Sequence, residues 1–174
     1  MPNIIAIFFS LILGISNPSE VKNTENQQEP VSTYYLIRHA EKDRTDSSNR
    51  NPDLKREGLA RAKKWAEVLK SVDFDAIYST DYKRTLQTAK PLADHNQLEI
   101  LKYDAGKLFE ESFENDTKGK TVLVVGHSNT TPQFVNAILG EKKYADLDDS
   151  ENGALFIVQV MADGSSHSQV LYIN

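Results

Sequence analysis

Two histidines and two arginines stand just beyond the ends of three short apolar runs. Arg38-His39 follows Thr33–Ile37, Arg84 comes shortly after Phe74–Tyr78, and His127 follows Thr121–Gly126. A neutral imidazole is a nucleophile or a base at ordinary pH. A guanidinium presents a planar fork that matches the oxygens of phosphate. Two of each suit a small, highly charged anion, phosphate above others. Singly they say little: an Arg-His dipeptide arises by chance, Arg84 alone is a solvated helix residue, and His127 alone is a loop histidine. Their order and location together carry the reading. His95, near a helix end, and His167, near the last turn, read as surface or hydrogen-bonded histidines.

The elements that must position these residues alternate in type. The pattern predicts strands over 33–37, 74–78, 98–101 and 121–126, with helices over about 55–71, 81–95 and 131–139. In the first helix Leu59, Ala62, Ala66 and Leu69 fall at helical spacing; in the second, Asp81 is a good N-cap that sets Arg84 in the first turn. Strands over 154–161 and 169–173 close the chain around Ala162-Asp163-Gly164 and must form an antiparallel hairpin. Such alternation argues an α/β three-layer sandwich with a mostly parallel central sheet. Ligands of open sheets of this kind bind beyond the carboxyl ends of the strands, where both histidines and both arginines fall. Helix N-termini there add unpaired N–H groups. Trp65 reads as a packing residue, Tyr34 and Tyr35 as split between the sheet faces, and the basic residues of the first helix as a solvated face balanced by Glu57 and Glu67.

Composition sets the frame. The 174 residues allow one domain, and 39% hydrophobic with 26% charged residues fits a globular chain. A net charge of -5 gives no overall attraction to nucleic acid, and no aromatic-basic motif supports such binding. The absence of cysteine removes disulfides, thiolate catalysis and cysteine-ligated zinc. Residues 1–16, with the apolar run Ile4–Leu13, read as a signal peptide too short to span a membrane, although no Lys or Arg precedes the run. An N-terminal core strand or an uncleaved anchor are the alternatives. Residues 17–32 hold Pro18, Pro30 and little to bury, and read as a linker to a domain over 33–174. The expected location is therefore outside the cytoplasm, periplasmic or extracellular, with no stable membrane span once the leader is cleaved.

Four blocks of sequence resemble the histidine phosphatase superfamily, the phosphoglycerate mutase-like group, in its small phosphatase branch. They are Arg38-His39, Asn51-Pro52-Asp53-Leu54 with Glu57-Gly58, Tyr78-Ser79-Thr80-Asp81 with Arg84-Thr85 and Gln87-Thr88-Ala89, and Val124-Val125-Gly126-His127-Ser128. The resemblance implies a phosphoglycerate mutase-like fold and a phosphatase, a phosphoric monoester hydrolase of histidine acid type. His39 would be transiently phosphorylated, and Arg38, Arg84 and His127 would hold the phosphoryl oxygens. No metal and no cofactor is implied. A general acid is implied after the third strand, where Asp104 stands, with Glu110 and Glu111 as rivals; solvated loop charge is an equal reading of each. Ala40 stands where the family most often has glycine, and Lys42 where a mutase has Ser or Thr. Only Lys102–Lys120 separates the third and fourth strands, which leaves little for a lid and favours hydrolysis over mutase-type transfer. The implied substrate is a small phosphomonoester or a phosphoprotein, phosphohistidine included. The rival reading is a catalytically inactive phosphate-binding module, which the presence of all four site residues disfavours. A dinucleotide-binding domain fails for want of a glycine-rich loop after the first strand.

Overall fold

A computed structural model describes residues 31–173; the expected leader and nearly all of the expected linker lie outside them. The elements run β1 (Ser32–Arg38), α1 (Arg56–Leu69), β2 (Ala76–Ser79), α2 (Lys83–Asn96), β3 (Ile100–Lys102), α3 (Glu111–Thr117), β4 (Thr121–Gly126), α4 (Thr130–Leu139), β5 (Ala154–Val160) and β6 (Ser166–Tyr172). The sheet order is β3-β2-β4-β1-β5-β6. The first four strands of that order are parallel, and β5 and β6 run antiparallel as the closing hairpin. Parallel neighbours need a crossover, and the right length for one lies between each pair.

Side chains alternate along β1 because successive residues face opposite sides of a pleated strand. Tyr34 and Leu36 join Val122, Val124 and Phe134 in one core, under α3 and α4. Ile37 joins Leu123, Val125, Trp65 and Leu92 in the other, under α1 and α2, with Tyr35 packed against it. The sheet is thus buried on both faces, which is why β4 reads as a continuous apolar run. Among the described residues no helix is long and apolar enough to cross a membrane.

Three local expectations change. Leu59 is 47% exposed, because α1 turns Gly58, Ala62, Trp65 and Leu69 inward instead. Asp81 does not cap α2: Tyr82 is the N-cap without a side-chain bond, and Asp81 pairs with Lys102 of β3 at 2.9 Å. The stretch between β3 and β4 contains α3, too short to announce itself by periodicity. It is held from below by the Thr117 hydroxyl, 2.8 Å from that of Tyr34.

Candidate active site

Arg38 ends β1 and is 2% exposed, an unusual place for a cation. The loop before β5 makes it tolerable. Nη1 donates to the carbonyls of Asp148 and Glu151, each at 3.0 Å, and Nη2 donates to Asp149 Oδ1 at 2.6 Å. The loop is itself fixed: Asp148 Oδ1 accepts from the Ser150 amide at 2.8 Å, and the Leu147 amide donates to the Ser128 carbonyl at 2.8 Å. The end of the fork is therefore occupied, while the buried Nε–H has no partner.

His39 follows, 3% exposed. Its amide donates to the Gly126 carbonyl at 2.9 Å, and its own carbonyl accepts from Asn152 Nδ2 at 2.9 Å. Nδ1 lies 2.8 Å from the Ala40 carbonyl. A carbonyl can only accept, so Nδ1 carries the proton and Nε2 keeps the lone pair. Burial pulls the imidazole down to about 3; the Ala40 bond opposes this, while Arg38, His127 and Arg84 add to it. At neutral pH His39 is therefore unprotonated. Ala40 does not need positive φ, and its amide donates to Thr88 Oγ1 at 2.9 Å, so alanine serves where glycine is commoner.

His127 follows β4. Its amide donates to Thr130 Oγ1 at 3.0 Å, and its Nε2 lies 3.1 Å from Thr80 Oγ1. Its ring is 5.4 Å from that of His39, edge to face, with Tyr82 on another side at 5.2 Å. Burial first, then Arg84, Arg38 and Lys42, lower it to about 4. A Cβ on the preceding Gly126 would meet Thr131 Oγ1 at 2.8 Å and the Tyr103 hydroxyl at 2.9 Å, so glycine lets this turn close. Arg84, in the first turn of α2, lies over the Tyr82 ring at 4.4 Å. Its Nε–H is likewise buried without a partner, and burial works against its charge.

All four expected residues line one cleft of about 340 Å3, together with Lys42 and Asp149. Asp104 is not among its walls; its neighbour Ala105 is, and Asp104 Oδ1 accepts from the Gly106 amide at 2.8 Å. Glu110 caps the start of α3 and Glu111 opens it, both exposed. Sequence reasoning missed Asp149 and Asn152. Residues preceding an antiparallel strand, not those following it, reach the site edge, and the pairing of β5 with β1, Leu155 opposite Ile37, that puts them there is visible only in the fold.

Residues 34–107 match the model of the Histidine phosphatase superfamily (branch 1). The curated Phosphoserine phosphatase 1 of Hydrogenobacter thermophilus is 34% identical over 93 residues, 45% of this chain and 44% of that protein. The match therefore spans less than half of that relative. Among solved structures, the protein histidine phosphatase SixA complexed with tungstate has a TM-score of 0.64 at 18% identity, over 80% of this chain and 96% of that one. Phosphoglycerate mutase from Bacillus anthracis has a TM-score of 0.65 at 15% identity, over 83% and 94%. At such identities the two structures speak for the fold alone.

Proposed function

We propose that this chain, which belongs to the histidine phosphatase superfamily, is a phosphatase that hydrolyses phosphomonoesters through a phosphohistidine on His39, without a metal. The observation that carries the reading is the His39 tautomer. A neutral ring with its proton held at Nδ1 lines one cleft with Arg38 and Arg84, whose Nε–H groups are buried without a partner. Those donors suit the oxygens of a phosphoryl group.

In the first step Nε2 attacks phosphorus in line, the P–O bond to the alcohol breaks, and the leaving oxygen takes a proton. His39 then carries the phosphoryl group on Nε2 and the proton on Nδ1, a cation stabilised by the Ala40 carbonyl. In the second step water attacks phosphorus, gives up a proton, and returns neutral His39 with inorganic phosphate. Arg38, Arg84 and His127 neutralise charge spread over the equatorial oxygens of a loose transition state. Asp104 is the proposed general acid: its carboxyl, turned from the Gly106 amide, gives the leaving oxygen its proton in the first step and takes one from water in the second.

Hydrolysis is favoured over mutase-type transfer by what the 102–120 stretch does. It is spent on α3, which packs Phe113 against Tyr78 with ring centroids 4.7 Å apart rather than covering the cleft. The full chain and its His39→Ala variant, assayed on an aryl phosphate with EDTA present, test the reading. Turnover should survive EDTA and fall by at least about a thousandfold in the variant. Activity retained by His39→Ala would sink the nucleophile, and activity lost to EDTA would sink metal independence. Export remains a proposal resting on residues 1–16, tested by sequencing the amino terminus of the cell-envelope protein; an intact Met1 would refute cleavage.

A further inference from the structure

Beside the catalytic cleft lies a larger cavity of about 550 Å3 that shares Arg38, His39, Lys42 and Asp149 with it. A phosphoester bound at His39 must place its leaving group somewhere, and this cavity adjoins the nucleophile. Its walls are charged, and the charges can be accounted for one by one. Glu41 accepts from Arg61 Nε at 2.8 Å through Oε1, while its Oε2 is buried without a partner. Asp149 holds both Arg38 and Arg44, each at 2.6 Å. Asp43 accepts from the Thr45 amide at 2.9 Å. Lys55 faces Glu57 at 3.9 Å.

Lys42 is left over. Among the described residues its ammonium has no hydrogen bond and no ion pair, and the side chain is half-buried where the two spaces meet. Its backbone is not free to move away. Lys42 bridges Leu54, with Asp43 N donating to Asp53 O at 2.8 Å on one side and Lys55 N to Glu41 O at 3.0 Å on the other. Burial and the nearby Arg44, Arg84 and Arg38 push its pKa down, with Asp149 opposing. A cation held among cations is relieved by an anion. The phosphoryl group has Arg38, Arg84 and His127; Lys42 lines both that cleft and the larger cavity, where a bound phosphoester passes from one to the other.

We propose that the cavity receives the leaving group and that Lys42 pairs there with a second anionic group. The preferred substrates are then small phosphomonoesters whose alcohol carries a carboxylate or a further phosphate. The inference rests on the phosphatase reading of the cleft, and the test separates the two.

Propylphosphonate and 3-phosphonopropionate differ only in a terminal methyl against a carboxylate, and neither can be hydrolysed. Calorimetric titration of the full chain at fixed ionic strength should find 3-phosphonopropionate bound about tenfold more tightly, as an added charge-assisted contact implies. Lys42→Met should bring the two affinities to within about twofold of each other. Equal affinities in the wild type, a preference that survives Lys42→Met, or an equal loss of both ligands would each overturn the second-anion role. Propylphosphonate also reports that the variant is folded. Failure of both ligands to bind the wild type would strike at the phosphoryl site itself, and the subsite would fall with it.

Discussion

The Ala40 carbonyl decides which nitrogen of His39 keeps its lone pair, and burial keeps the ring unprotonated, as the proposed attack requires. The pH profile follows. For the free enzyme, kcat/KM reports the nucleophile's own ionisation. With His39 lowered to about 3, no acid limb from this group should appear between pH 7 and 5 once the substrate's second ionisation is divided out. A limb near the ordinary histidine value would contradict the burial argument. Asp149 makes the second prediction. Asp149→Asn keeps the shape but weakens the hold on Arg38 Nη2, while both carbonyl bonds to Nη1 remain. KM for an aryl phosphate should rise about three- to tenfold with a smaller change in kcat, the signature of a positioning residue. Stability should move little, because the Asp149 side chain is 63% exposed. A kcat loss that grows with leaving-group basicity would instead make Asp149 the proton donor. At this scale His39, Arg38, Arg84 and His127 were legible, because each lies at the carboxyl end of a strand or within a few residues of it. Asp149 was not, because its role comes from a strand pairing that no local pattern encodes.

Among the elements, the parallel strands and the three longer helices were readable from apolar spacing and the closing hairpin from its turn, whereas α3 was not. Its 7 residues make just under two turns in all, and its buried side comes from tertiary packing of Phe113 and Thr117. The start of α2 was misread for a related reason. Asp81 has the residue type of a cap, yet its carboxylate is drawn to Lys102 on the neighbouring strand. The approach of α1 to the segment after His39 yields a prediction at this scale. A Cβ on Gly58 would sit 2.2 Å from the Glu41 carbonyl oxygen, which is backbone and is already bonded to Lys55 N. Gly58→Ala gains helix propensity worth about 1 kcal/mol but must push the helix off this segment. We expect a net loss of about 1–3 kcal/mol in urea unfolding, with weaker propylphosphonate binding because the displaced segment carries Lys42 and follows directly on His39. A variant as stable as the wild type would show that α1 yields at no cost.

The site histidines also tax the whole fold, and the sign can be worked out. In the unfolded chain His39 and His127 take up protons near the ordinary imidazole value of 6.5; in the folded chain they resist until about 3 and about 4. Above 6.5 both states are neutral and the pair contributes no pH dependence. As pH falls below 6.5 the unfolded state binds protons that the folded state refuses, so stability is lost progressively down to the folded values. Generic charge effects run the other way. The chain carries -5 at neutral pH, so mild acid lowers its net charge and relieves self-repulsion. The two trends are thus separable: without ligand, Tm should fall between pH 7 and 5, and a His39→Asn variant should fall less. Inorganic phosphate should then act twice. It stabilises the folded state by mass action, about 2.7 kcal/mol at a hundred times its Kd. Its charge beside both rings also raises their folded pKa values, so the acid-side slope should flatten as phosphate is added. Differential scanning calorimetry at pH 7, 6 and 5, with and without phosphate, reads all of this. A Tm that is flat or rising toward pH 5 without ligand would mean that the two rings are not held neutral by burial, and the electrostatic basis for His39 as a nucleophile would go with it.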